Sequence, residues 1–161
     1  MRDFSIDFMF DTLMSDPVVQ AAQDAFKQRL RNNNDVSDNT RNAQAIAKAW
    51  RSAVYAIDPD RFQIEAIVAP DLDQKIDILD TETHTAYEFK VSGKNATSEF
   101  YKDVVKVIVW NQKRKKNLTR LVFITEEGEG RRYLDTPMPR AYIEYLATHG
   151  LEITVAYIRH S

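Results

Sequence analysis

Asp77 and Glu88 are the residues of this chain whose types and spacing could do chemistry. The stretches Ile76-Asp77-Ile78-Leu79 and Tyr87-Glu88-Phe89-Lys90 read as two strands joined by the polar turn Thr81-Glu82-Thr83-His84. A hairpin folded about Glu82-Thr83 sets Asp77 directly opposite Glu88 on one face, with Cα atoms roughly 4.5–5.5 Å apart. Two like charges in that position repel, and their neighbours Ile76, Ile78, Leu79, Tyr87 and Phe89 are apolar. A divalent cation is the simplest compensation. Glu88 and Lys90 are two apart, so both project to one face while Tyr87, Phe89 and Val91 project to the other. Oxygen-only ligation in a chain without cysteine suits a hard ion, Mg²⁺ with Mn²⁺ as its substitute, that keeps water positions open. Such an ion polarises a phosphoryl oxygen and lowers the pKa of bound water. The lysine can position or activate that water and stabilise developing negative charge. An Asp, a Glu and a Lys alternating outward are equally an ordinary solvated face, so the surrounding elements decide.

Those elements read as follows. Ser15-Asp16-Pro17 starts a helix over residues 17–31, with Val18, Ala21, Ala22, Ala25, Phe26 and Leu30 on one side. Residues 5–14 read as a shorter amphipathic helix, and residues 1–36 together as an added helical layer. A further helix runs from Ser37-Asp38 to Ile57, its apolar face at Ala43, Ile46, Ala47, Trp50, Val54 and Ile57, and Asp58-Pro59-Asp60 ends it. Phe62, Ile64, Ala66 and Val68 alternate along a first strand. Lys75–Asp80 and Thr85–Val91 form the hairpin. A helix over about Ser98–Gln112 turns Phe100, Val104, Val107 and Ile108 inward, and Lys113-Arg114-Lys115-Lys116 closes it where positive charge suits a helix C-terminus. Leu121–Ile124 is a continuous apolar strand of a covered sheet. Glu126–Gly130 reads as a loop, Thr136-Pro137 starts a helix ending at His149-Gly150, and Leu151–Ile158 is a final strand. The order predicts one domain of α/β or α+β class with a mixed central sheet.

Composition narrows the function. With 161 residues the chain suits a single core, and no apolar run approaches the roughly 20 residues of a membrane span. Cysteine is absent, which excludes disulfides, thiol nucleophiles and Cys-ligated metals. Four glycines form neither a phosphate-binding loop nor a Gly-x-Ser-x-Gly elbow, so no nucleotide cofactor is expected. His84, His149 and His160 show no ligand spacing. Met1-Arg2-Asp3-Phe4-Ser5 carries charge where a signal peptide needs an apolar stretch, so the expected location is the cytoplasm. The net charge is -2, yet residues 88–120 hold nine Lys/Arg against three Asp/Glu. One basic face could therefore hold a polyanion while the rest of the surface repels it.

Asp77, ten intervening residues and then Glu88-Phe89-Lys90, set in the order α-β-β-β-α-β, resemble the PD-(D/E)XK nuclease superfamily, which includes restriction endonucleases. The likeness covers roughly residues 38–125; residues 1–36 and 126–161 lie outside the shared core. It implies a restriction-endonuclease-like fold, Mg²⁺ held by Asp77, Glu88 and the main-chain carbonyl of Phe89, Lys90 as the catalytic lysine, and hydrolysis of DNA phosphodiesters. The proline of the family name does not precede Asp77, where Ile76 stands, and Pro70 comes too early. Nor does the helix over 39–57 carry a Glu, or the following helix a Gln-x-x-x-Tyr, as exonuclease-like branches do. The nearer likeness is an endonuclease of the restriction or junction-cleaving kind. Glu65 is a candidate further metal ligand: if the first two strands pair around Asp71, it faces Asp77; the alternative is an exposed strand residue. Asp71 and Asp73 sit in the turn and rank below Asp77 as ligands.

The segment after the motif is the expected DNA contact region. Ser92 and Lys94 follow the motif in a loop, Lys102 and Lys106 share a helix face one turn apart, and Lys113, Arg114, Lys115 and Lys116 end that helix. Phosphate contacts there would give salt-dependent affinity without sequence information. Asp103 and Lys106 could instead pair locally. Cutting a duplex needs two active sites, so a homodimer is expected. The alternatives are a catalytically inactive nuclease-fold module that binds DNA or a protein partner, and a repair or junction-resolving nuclease.

Overall fold

Asp16 opens the first helix as its place before proline predicts: its Oδ1 accepts the Val18 N–H at 2.9 Å. The computed structural model describes residues 15–32, 40–115 and 117–159; the helix expected over 5–14, the start expected at Ser37-Asp38 and Lys116 lie outside the described residues. Helix α1 (Pro17–Asn32) buries Val18, Val19, Ala22 and Phe26, and α2 (Thr40–Ile57) buries Ile46, Trp50 and Val54. Trp50 Nε1 donates to the Val18 carbonyl at 3.0 Å, so the indole joins the two helices without leaving a buried donor unpaired.

Five strands follow in a sheet whose spatial order is the chain order: β1 (Phe62–Ala69), β2 (Leu72–Asp80), β3 (Thr85–Lys90), β4 (Arg120–Glu126) and β5 (Glu152–Ile158). The first three are antiparallel and the last three parallel. The parallel pairs need crossovers. Helix α3 (Ala96–Arg114) supplies the one from β3 to β4, and α4 (Glu127–Leu134) with α5 (Pro137–Ala147) the one from β4 to β5. The result is a mixed α/β fold with five helices and a five-stranded mixed open sheet among the described residues.

Two apolar layers cover the sheet. Phe100, Val104 and Val107 of α3, with Leu134 and Leu146, pack on Ala86, Leu121, Phe123 and Ile153. On the other face α1 and α2 pack on Phe62, Ile78, Tyr87, Phe89, Val122 and Ile124. Residues Leu121–Ile124 are fully buried from both sides, as an unbroken apolar run requires. Helix α1, read from the sequence as an addition, shares its buried face with α2 and the sheet.

Three sequence readings are corrected. The stretch Glu126–Gly130 is a helix start, not a loop: the Glu126 carboxylate caps α4, accepting the N–H of Gly128 at 2.6 Å and of Glu129 at 3.1 Å. Its two glycines hid it. A Cβ on Gly130 would lie 2.5 Å from Thr125 Cγ2, so the second glycine permits close approach to β4 rather than a turn. Ile57 and Ile108, expected inward, are 52% and 41% exposed. The alternation expected along β1 also breaks: Phe62 and Ile64 face α1 and α2, whereas Ala66 and Val68 face α3.

Candidate functional site

That break positions the site. Residue Glu65, between the two halves of β1 whose apolar side chains face opposite sides, has φ 49, in the left-handed region that non-glycine residues rarely occupy. Strand β2 changes face in the same place, with Ile78 against α1 and α2 and Ile76 against α3. Pairing runs Ile64↔Ile78 and then Ala66↔Ile76, so Glu65 and Asp77 are the opposed residues that both strands skip. From Phe62 to Ile67 the register is the one that pairing around Asp71 predicts, and it shifts by one residue beside the turn, between Ile67 and Ala69. A matched irregularity in two strands keeps the ladder in step and re-aims the side chains at the break.

Across the second hairpin the register is also as predicted, Ile78↔Tyr87, Leu79↔Ala86 and Asp80↔Thr85, which brings Asp77 to the level of Glu88. The turn is pinned by Asp80, which accepts the N–H of Glu82 at 3.0 Å and of Thr83 at 3.3 Å and takes a two-point bond from Arg61, at 2.9 and 2.7 Å. Main-chain pairing of β2 with β3 stops at Ile78, and a side chain continues it: Asp77 Oδ2 accepts the Phe89 N–H at 3.0 Å. This bond holds the Asp77 carboxylate against β3 beside Glu88.

Glu88 points toward α3 and is only 3% exposed. There it meets a partner the hairpin alone does not supply. Lys106 Nζ lies 2.8 Å from Glu88 Oε1 and 2.8 Å from Asp103 Oδ1, and donates to the Lys75 carbonyl at 2.9 Å. Burial, reinforced by the negative charges of Asp77 and Asp103, raises the Glu88 pKa well above the usual carboxylate range, and Lys106 only partly offsets this. Burial likewise pushes Asp103 up to about 6 against the pull of Lys106. For Lys106 burial favours the neutral amine, but Glu88 and Asp103 outweigh it and its pKa is raised. Glu88 and Asp103 thus meet one ammonium, with Asp77 near enough for its charge to act on both carboxyls, and negative charge remains in excess.

The cluster's donors are all oxygens, the set a hard divalent cation takes, and the charge excess is what such an ion would neutralise. The chemistry of this donor set, though not its present arrangement, is of the kind Mg²⁺ takes. In the arrangement described, however, the ammonium of Lys106 stands between Glu88 and Asp103, and no group of three His, Cys, Asp or Glu residues among the described residues is in metal-holding geometry.

The remaining predicted residues divide. Lys90 ends β3, half-buried, two positions after Glu88, and makes no ion pair with a described residue. Ser92 Oγ accepts the Lys94 N–H at 3.2 Å, close behind it in the chain. Lys102 is exposed, whereas Lys106 turns inward. Lys113 and Lys115 are exposed at the far end of α3, about 25 Å along the helix from Ala96. Arg114 is engaged in holding β1: it donates to the carbonyls of Ile67 and Val68 at 2.6 and 3.1 Å and lies over the Trp110 ring. Glu65 is exposed. Asp103 was missed as a site residue, though it had a signal: it lies on the apolar stripe Phe100, Val104, Val107, where an ionisable group needs a partner. Comparison of the chain with protein-family models, with curated proteins and with solved structures finds no match in any of the three.

Proposed function

We propose that this protein is a Mg²⁺-dependent endonuclease that hydrolyses DNA phosphodiester bonds, resembling the PD-(D/E)XK enzymes and, within them, restriction endonucleases. The observation that carries the reading is the placement of Asp77 and Glu88 side by side at the point where main-chain pairing of β2 with β3 gives way, in a buried cluster with excess negative charge. A plain solvated hairpin has no reason to bury Glu88 or to break two strands at Glu65 and Asp77.

Asp77, Glu88 and the Phe89 carbonyl would hold the ion, which supplies a polarised phosphoryl oxygen and a more acidic bound water. Lys90, beside Glu88, would orient the attacking water and stabilise the charge growing on the phosphoryl oxygens. The water oxygen bonds to phosphorus as one ester P–O bond breaks; the water's proton leaves to solvent and the departing oxygen takes one back. Burial of Glu88 keeps bulk water from its carboxylate and strengthens each of these electrostatic contacts. Ser92, Lys94 and Lys102 would meet the backbone phosphates near the chemistry, with Lys113 and Lys115 reaching a more distant stretch of the duplex. Cutting both strands would take two copies of the chain.

One observation favours a second reading, a nuclease-fold module that binds DNA or a protein without cutting: Lys106 already neutralises part of the carboxylate cluster. Incubating the protein with supercoiled plasmid, with and without Mg²⁺, separates the two. Nicking that requires Mg²⁺ and is abolished in Asp77→Asn and Lys90→Ala, with binding retained, supports the enzyme. Binding without nicking at any Mg²⁺ concentration supports the module.

A further inference from the structure

We infer that Lys106 is a resident counter-cation that a divalent ion must displace, so that α3, rather than the hairpin alone, sets the affinity of the site for its metal. The inference rests on the metal-site reading above and adds to it a residue outside the Asp/Glu-x-Lys pattern. Its basis is the placement of one ammonium. Lys106 Nζ sits among three oxygens from three elements: it donates to the Lys75 carbonyl on β2 and lies within ion-pair distance of Glu88 on β3 and Asp103 on α3. A position that holds an ammonium among three oxygens from three elements is a cation position.

A divalent ion approaching Glu88 meets Lys106 at its Oε1, and two cations cannot share that oxygen in a buried setting without strong repulsion. Asp103 is then released from its ion pair and becomes an additional carboxylate facing the ion. The lysine has somewhere to go. Its side chain lines a groove of about 360 Å³ between the β1–β2 hairpin and α3, walled by Val68, Leu72 and Gln74 on one side and Tyr101, Val105 and Val109 on the other. The aliphatic stem can lie along those apolar walls while the ammonium reaches the Gln74 amide and solvent.

The test is Mn²⁺ binding to the full chain, followed by calorimetry, for the parent, Lys106→Met, Lys106→Gln and Lys106→Met combined with Asp77→Asn. Displacement predicts that removing the ammonium tightens Mn²⁺ binding at least tenfold, and that adding Asp77→Asn abolishes the gain. In the parent, a protected Lys106 ammonium signal in nitrogen-detected NMR should be lost on titration with Mg²⁺, a readout that needs no variant. Equal or weaker Mn²⁺ binding by both Lys106 variants, or a Lys106 signal unmoved at saturating Mg²⁺, overturns the displacement and leaves the metal site standing. Absence of Mn²⁺ binding in all four proteins overturns both. A gain that survives Asp77→Asn places the ion elsewhere and overturns the inference as well.

Discussion

Asp77 Oδ2 accepts the Phe89 main-chain N–H at 3.0 Å, so a carboxylate occupies the place in the β2–β3 ladder that a carbonyl would otherwise fill. The bond gives Asp77 two separable duties. Asparagine retains an oxygen that can accept the same N–H but has no charge to hold a cation. Asp77→Asn is therefore expected to lower Mg²⁺-dependent cleavage by at least about 100-fold with little change in melting temperature. Asp77→Ala should lose activity equally and also stability, by about 1–3 kcal/mol, because the Phe89 N–H is left without its partner. Thermal melts beside plasmid nicking check the split; equal melting of the two variants would contradict it.

Much of this site was legible in the sequence, and the reasons are local. Side-chain alternation and a short polar turn determine hairpin register, and at the level of Asp77 both hairpins have the predicted one, with a one-residue shift beside the β1–β2 turn. The face change at Glu65 was not legible, because a left-handed glutamate within a strand carries no compositional mark of the kind glycine does. The engagement of Lys106 with Glu88 was hidden for a different reason. A lysine one turn from another lysine on a basic helix reads as solvated, and only the packing of α3 against the sheet shows that one points inward while Lys102 does not. The helix at Glu127 was obscured by two glycines whose role is close approach to neighbouring backbone and side chains.

The left-handed backbone at Glu65 makes a prediction about stability that is independent of activity. Glycine adopts this conformation freely and a β-branched residue is strongly opposed to it. Glu65→Gly is expected to be more stable than Glu65→Val by about 1–2 kcal/mol, the scale of strain at such positions. For a chain of this size that is a difference of roughly 2–8 °C in melting temperature. Since Glu65 is exposed, the contrast cannot come from lost packing. A Val variant as stable as the Gly variant would mean the strand is regular there.

Arg61 and Asp80 anchor the turn that sets Asp77 against Glu88. Burial alone would raise the Asp80 carboxyl, but the bonds from Arg61, Thr83 and Glu82 outweigh it and hold Asp80 below its usual range. Asp80 is 2% exposed, so Arg61→Met leaves a buried carboxylate without its counter-ion, at an expected cost of about 3–5 kcal/mol near neutral pH. A carboxyl with a depressed folded pKa contributes stability that is present above the unfolded value of about 3.9 and lost as pH falls through the folded one. The gap between parent and Arg61→Met should therefore narrow as pH drops below about 4. Urea unfolding at pH 7 and pH 3.5 measures it, and a gap that widens in acid would refute the assigned role.

The carboxylate cluster predicts the opposite pH trend. Asp103 is pushed up to about 6, chiefly by burial, and Glu88 is raised for the same reason. A carboxyl whose folded pKa exceeds its unfolded value of about 3.9 holds its proton longer in the native state, so stability falls as pH rises from about 4 to about 6. The lost stability is on the order of 2 kcal/mol for Asp103, from its shift toward 6. Asparagine cannot ionise, so Asp103→Asn should gain on the parent by about that amount between pH 4 and pH 7, whatever its offset at pH 4. The measurement is the difference in unfolding free energy between variant and parent at each pH, in chelator so that no divalent ion enters the balance. A difference that is flat across this window would mean that Lys106 fully neutralises Asp103, and the cluster would then lack the excess charge on which the proposed metal site depends.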